Sequence, residues 1–247
     1  MVTTAPRRAC KVDHMERLQA ETALREHGWL AQEPPEVKDA VLARAQPINF
    51  GAGDVVFRIG DDAGGTYGIA TGAIGILVAT EGREPRLAHV ARRGTWFGHG
   101  PLMTRGRRVL GFRAIEPTST LYVSLAALSD LSRGSIAVAR SLAVLANANM
   151  GVAIETVSDL LIPRVDRRVA ATLLRATGVL RGMPPGDPPG YRLSQNDIAE
   201  MANASRQMVN RCLADFASRG WVRVGYQRIA ILVPAALSAF ASNLDEA

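Results

Sequence analysis

The stretch Leu193-Ser-Gln-Asn-Asp-Ile-Ala-Glu-Met-Ala-Asn-Ala-Ser-Arg-Gln-Met-Val-Asn-Arg211 decides the fold. Ser194 is a good helix N-cap, and Asp197 stands three residues on in the capping-box position, so a helix is expected through Met201. Asn203 falls where a sharp turn needs a residue that tolerates the left-handed conformation. A second helix then runs over about 205–218. On this helix Val209, Cys212, Leu213 and Phe216 fall on one side, while Arg206, Gln207, Asn210, Arg211 and Ala214 share an arc of about 140° on the other. Such a polar face is either ordinary solvated surface or a helix made for a DNA major groove, where Arg and Gln meet the edges of guanine and adenine.

Moving outward, Gly220-Trp-Val-Arg-Val-Gly-Tyr-Gln-Arg-Ile-Ala-Ile-Leu232 reads as two strands joined around Gly225-Tyr226-Gln227. Helix, turn, helix and hairpin in that order form a winged helix-turn-helix, which favours the DNA reading of the polar face. Upstream lies Arg181-Gly-Met-Pro-Pro-Gly-Asp-Pro-Pro-Gly190, whose prolines and glycines forbid regular structure, and before it a helical pattern over 167–179. From Ala126 to Pro163 no proline interrupts, and one long helix is expected. Leu128, Leu131, Val138, Leu142, Leu145, Val152 and Leu160 form its apolar seam, suited to a partner helix or to packing on its own domain. Asn149 and Thr156 fall on that seam, and Ser135 interrupts it.

Residues 47–123 break into short apolar runs at 54–57, 66–70, 73–79, 87–91 and 120–124, separated by glycines, as in an antiparallel barrel or roll. Before them, 12–44 reads as helical with a break at Pro34-Pro35. The expected fold is therefore α+β: N-terminal tail and helices (1–45), antiparallel β-roll (46–125), dimerisation helix (126–163) and winged helix-turn-helix (164–247).

Composition agrees with a folded chain. Of 247 residues, 47% are hydrophobic and 21% charged, which excludes collagen-like, low-complexity and mostly disordered classes. The longest apolar runs, at 69–79 and 229–241, are broken by Gly72 and Gly75 and by Pro234, so no membrane span is expected. Residues 1–20 mix charges without an apolar core, so no signal peptide is expected and the location expected is the cytoplasm. Cys10 and Cys212 are too few and too isolated for a disulfide framework, a zinc site or a cysteine-held cluster. Net charge is +6, and residues 164–247 hold 11 Arg, no Lys and 7 Asp or Glu, a basic third suited to a polyanion. The roll contains His89, His99, Asp54, Asp61 and Asp62, but no nucleophile elbow, metal-ligand spacing or phosphate loop, so no enzyme is expected.

The whole chain resembles the Crp/Fnr family of bacterial transcription regulators. Leu193–Arg211 is similar to the family's helix-turn-helix, with its Ser-Arg-x-x-Val-x-Arg recognition helix. Gly53-Asp54, Gly60-Asp61, Gly72 and Gly94-Thr-Trp-Phe-Gly98 match the glycine framework of the cyclic-nucleotide-binding roll. The resemblance implies a homodimer on a palindromic double-stranded operator, with RNA polymerase as a further partner and DNA contacts from Ser205, Arg206, Gln207, Asn210 and Arg211.

It also implies a nucleotide pocket, and here the matching positions depart from the family. Nucleotide-binding members carry Phe-Gly-Glu, where this chain reads Phe97-Gly98-His99. Their Arg-Ser or Arg-Thr pair is Arg108-Val109, and the Thr-Ser pair that meets adenine aligns with Ala153-Ile154. Three of four polar contacts are lost, each worth about 1–3 kcal/mol, so cyclic AMP is not expected to bind and no cofactor is assigned. An unidentified small-molecule effector, or none, remains. His99 offers an imidazole to haem, as in the family's carbon monoxide sensors. The alternative function is a cytoplasmic small-molecule or haem sensor whose helix-turn-helix no longer binds DNA.

Overall fold

The computed structural model describes residues 14–79, 82–183 and 190–242. Cys10 and most of the proline-rich stretch at 181–190 lie outside them. The chain begins with α1 (His14–Glu26), a 3-10 turn (Leu30–Gln32) and α2 (Pro35–Leu42), whose first-turn proline loses no helical hydrogen bond. The expected helical segment is thus broken over a longer stretch than Pro34-Pro35 alone.

Eight strands make the roll: β1 (Gln46–Phe50), β2 (Val55–Phe57), β3 (Gly65–Thr71), β4 (Ala73–Val78), β5 (Arg86–Arg92), β6 (Trp96–Phe97), β7 (Gly111–Ala114) and β8 (Thr118–Ser124). The short helix α3 (Gly100–Thr104) sits between β6 and β7. Two antiparallel sheets run in the orders β1-β8-β3-β6 and β2-β7-β4-β5. The spaces between the glycines hold strands because Gly72 (φ +84°) and its like permit the tight reversals. An interior of Phe57, Ile69, Ile74, Phe97 and Phe112 closes the roll from within.

The single helix expected from 126 onward is two helices, α4 (Leu125–Gly134) and α5 (Ile136–Leu160). Ser135 is extended (φ −146°, ψ 116°), and its hydroxyl accepts from the Val138 N–H, which restarts the helix. The expected seam also needs correction. Leu128, Val138, Leu142 and Leu145 are buried within their own chain, in a core shared with α1, α2 and the outer face of β3 and β8. Asn149 donates to the Trp96 carbonyl at 2.9 Å, so this polar member of the seam faces the roll, and Thr156 is buried as well. A second stripe, Ile136, Val144, Met150, Ile154, Val157 and Leu161, runs along the opposite side and is exposed. By length and composition alone α5 is long and apolar enough to cross a membrane, although Asn147 and Asn149 interrupt its apolar run.

The C-terminal unit comprises α6 (Val165–Thr177), β9 (Tyr191–Arg192), α7 (Gln195–Met201), α8 (Arg206–Ser218), β10 (Val222–Gly225), β11 (Arg228–Ile231) and α9 (Pro234–Ser242). Its sheet runs β10-β11-β9, so β9 and α9 extend the expected motif. Its core includes Val169, Leu173, Ile198, Leu213 and Phe216 and is continuous with Leu87 and Val90 of β5. The roll and the helix-turn-helix are therefore packed together, not merely joined by α5.

Candidate nucleic-acid interface and sensor roll

The helix-turn-helix forms as its local signals dictate. Ser194 accepts from the Asp197 N–H at 3.1 Å, and Asp197 accepts from the Ser194 N–H at 2.8 Å, completing the capping box of α7. Asn203 takes a φ of +45° in the turn. Ser205 caps α8 by accepting from the Met208 N–H at 3.2 Å, so its hydroxyl fixes the start of the helix. Val209, Cys212, Leu213 and Phe216 are buried, and burial pushes the Cys212 thiol up, leaving it an inert core group.

Arg206, Gln207, Asn210, Arg211 and Ala214 are all exposed. The Arg206 Nε donates to Gln195 Oε1 of α7 at 3.4 Å, so the first helix helps aim the first residue of the second. In the β10–β11 hairpin, Gln227 has a φ of +52° and Tyr226 at the tip is 91% exposed. The face thus combines two guanidiniums, two carboxamides and one small residue above a rigid apolar base.

In the roll, Phe97, Gly98 and Arg108 come together. Both terminal nitrogens of the Arg108 guanidinium donate to backbone carbonyls, one to Gly98 and the other to Gly65 at 2.8 Å. Its carbon lies 4.1 Å from the centre of the Phe57 ring. Gly98 (φ +94°) leaves no alternative residue there, since a Cβ would stand 2.7 Å from the Gly65 carbonyl oxygen. Around this arginine, Phe97 stacks on Phe112 at 4.3 Å and on Tyr67 at 5.5 Å. Burial, reinforced by Tyr122, pushes the Tyr67 hydroxyl up to about 12. His99 precedes α3 and is held below the usual histidine range by burial and by the Arg108 guanidinium.

The other pocket positions are not gathered there. Val109 is 78% exposed, and Ala153 and Ile154 are exposed on α5.

Sequence reasoning missed the residues that join the two units. Glu200 Oε2 of α7 accepts from the Leu87 N–H at 2.7 Å, and the Arg92 Nε donates to the Ala176 carbonyl at 2.7 Å. Arg175 pairs with Asp159 at 2.6 Å and reaches His89 Nδ1 at 2.9 Å. Burial, then Arg175, lowers His89 to about 3, so this imidazole is a neutral bridge. Arg175 gave no sequence signal for this junction, because α6 carries other arginines and threonines, such as Arg167, Arg168 and Thr172, around it.

Comparisons with known proteins agree with this architecture. Residues 47–135 match the cyclic nucleotide-binding domain model, and residues 167–240 match the Crp-like helix-turn-helix domain model. The chain is 28% identical, over 77% of its length and 85% of the relative's, to a CRP-like cAMP-activated global transcriptional regulator of Mycobacterium tuberculosis. It is also 28% identical to the cyclic AMP receptor protein of Thermus thermophilus, covering 85% and 94% of the two chains. Among solved structures it is similar to FixK2 from Bradyrhizobium japonicum, with a TM-score of 0.67 and 20% identity over 79% and 96% of the chains. With a sensor-type roll and a Crp-like helix-turn-helix matched in that order, the chain belongs to the Crp/Fnr family of DNA-binding transcription regulators, a family of regulators and not of enzymes.

Proposed function

We propose that this chain acts in the cytoplasm as a homodimeric, sequence-specific regulator that reads a palindromic operator with α8 and does not respond to cyclic AMP. The observation that carries it is the face of α8, exposed throughout at Arg206, Gln207, Asn210 and Arg211 while its other side is core. The Arg206 Nε also meets Gln195 Oε1 of α7 at 3.4 Å, so both helices contribute side chains to this face. The outward apolar stripe of α5 supplies a self-complementary surface for the dimer, and two-fold symmetry then sets the half-site spacing. RNA polymerase is the further partner that a regulator of this family contacts.

Two relatives carry cyclic AMP in their names, yet the roll here argues against that ligand. Both terminal nitrogens of Arg108 already donate to the Gly98 and Gly65 carbonyls, beside the stacked rings of the interior. A cyclic phosphate would compete with those carbonyls for Arg108 beside stacked rings, with no carboxylate at His99 and no hydroxyl at Val109 to add a contact. A mobility-shift assay with genomic fragments and a calorimetric titration test the two halves. Retarded palindromic fragments and no heat from cyclic AMP are expected. Failure to retard any fragment removes the DNA reading, and micromolar binding of cyclic AMP removes the pocket reading.

A further inference from the structure

A cleft of about 390 Å³ opens where β5, α5 and α6 meet, outside the roll interior. Its walls are apolar at Trp29, Trp96, Leu145, Val152 and Met183. Four arginines, Arg92, Arg93, Arg175 and Arg181, line it as well. Three of them meet carboxylates: Arg92 lies 3.7 Å from Glu116, Arg175 lies 2.6 Å from Asp159, and Arg181 pairs with Glu155. Arg93 pairs with no carboxylate among the described residues. Surplus donors remain: Arg92 Nη2, Arg93 Nε, Arg175 Nη2 and the Trp96 indole N–H are buried and have no hydrogen-bond partner.

Of the charged side chains lining the cleft, Arg92, Arg93, Arg175 and Arg181 face one carboxylate, Glu155, and Arg93 meets no carboxylate among the described residues, so the cleft carries a net positive charge. Guanidiniums select oxyanions, and the surrounding tryptophans and aliphatic groups select an apolar body. We infer that this interdomain cleft binds a small amphiphilic anion, an aliphatic or aromatic body bearing a carboxylate or phosphate. Its position gives such a ligand leverage. It touches the roll through Arg92 and Arg93, the long helix through Val152, and the DNA-binding unit through Arg175, so occupancy biases the angle at which α8 is presented. Only this regulatory consequence rests on the DNA-binding reading; the binding itself does not.

The test is a fluorescence titration of the full chain with 8-anilinonaphthalene-1-sulfonate, followed by displacement with decanoate, decyl phosphate and decanol. One probe molecule per chain is expected, displaced by one or both anions and not by the alcohol, and the better anion names the head group. Arg93→Gln, which removes a charge that meets no carboxylate among the described residues, should weaken the probe about tenfold. Val152→Trp, which fills the cleft, should abolish its binding, and circular dichroism reports whether that variant folds. Absence of binding, unchanged binding in Arg93→Gln, or equal displacement by decanol would overturn the inference. A mobility shift run alongside separates the two claims: DNA binding without probe binding sinks the cleft alone, and probe binding without DNA binding sinks the regulator alone.

Discussion

Glutamate at both Ile154 and Val157 is expected to convert the protein to monomers and to lower operator affinity by about 10²–10⁴-fold, the range lost when two linked half-site contacts become independent. Ile154 is 60% and Val157 57% exposed on the outward stripe of α5, so neither supports the fold of its own chain. Burying that stripe against a second copy removes several large side chains from water at about 25 cal/mol per Å². Unpaired carboxylates in the same seam would have to be desolvated. The inward leucines should behave differently. Leu142 and Leu145 are 1% exposed beneath α1, α2 and the roll, so Leu142→Ala should cost about 2–5 kcal/mol of unfolding free energy and leave a dimer. Light scattering on the Ile154/Val157 variant and thermal denaturation of Leu142→Ala distinguish the faces. An intact dimer in the first would remove the outward stripe from consideration.

That contrast shows how far the sequence could be read. Periodicity on α5 reveals apolar stripes but not what covers them, and this helix has two, nearly opposite each other. The heavier leucine stripe looks like the better zipper and is in fact the inner one, because the N-terminal helices and the roll supply its partners. Gly134 and Ser135 do show in the sequence as a weak point of the pattern and an interruption of the seam, but not as a helix boundary until the Ser135 hydroxyl is seen to cap the next turn. Strands β1, β6 and β7 escaped for local reasons: Pro47 sits in β1, an edge strand that tolerates it, β6 is two residues long, and β7 carries an exposed Arg113. By contrast the capping box, the left-handed Asn203 and the amphipathic α8 were legible because each is fixed within a few residues of chain. The junction of Arg175, His89, Asp159 and Glu200 joins segments far apart in sequence and left almost no trace there.

Gln207→Glu is expected to move base preference at one pair of each half-site toward cytosine by about 1–3 kcal/mol, with the neighbouring positions unchanged. Gln207 is exposed one residue after Arg206, in the first turn of α8, where a recognition helix presents its N-terminal residues to the major groove. Its carboxamide both donates and accepts and can pair bidentately with adenine, whereas a carboxylate only accepts and therefore favours the cytosine amino group. Arg206 should act in a separate way, since a guanidinium pairs with the two acceptors on guanine. Its Nε already leans on Gln195 Oε1, which leaves the terminal nitrogens for the base. Arg206→Ala should then weaken binding and relax selection for guanine at its own position, while Gln195→Ala should produce a milder form of the same loss. Site selection on randomised palindromes with half-sites about one helical turn apart reads all three variants at once. An unchanged base preference in Gln207→Glu would show that Gln207 does not read DNA and would leave the specificity to the arginines.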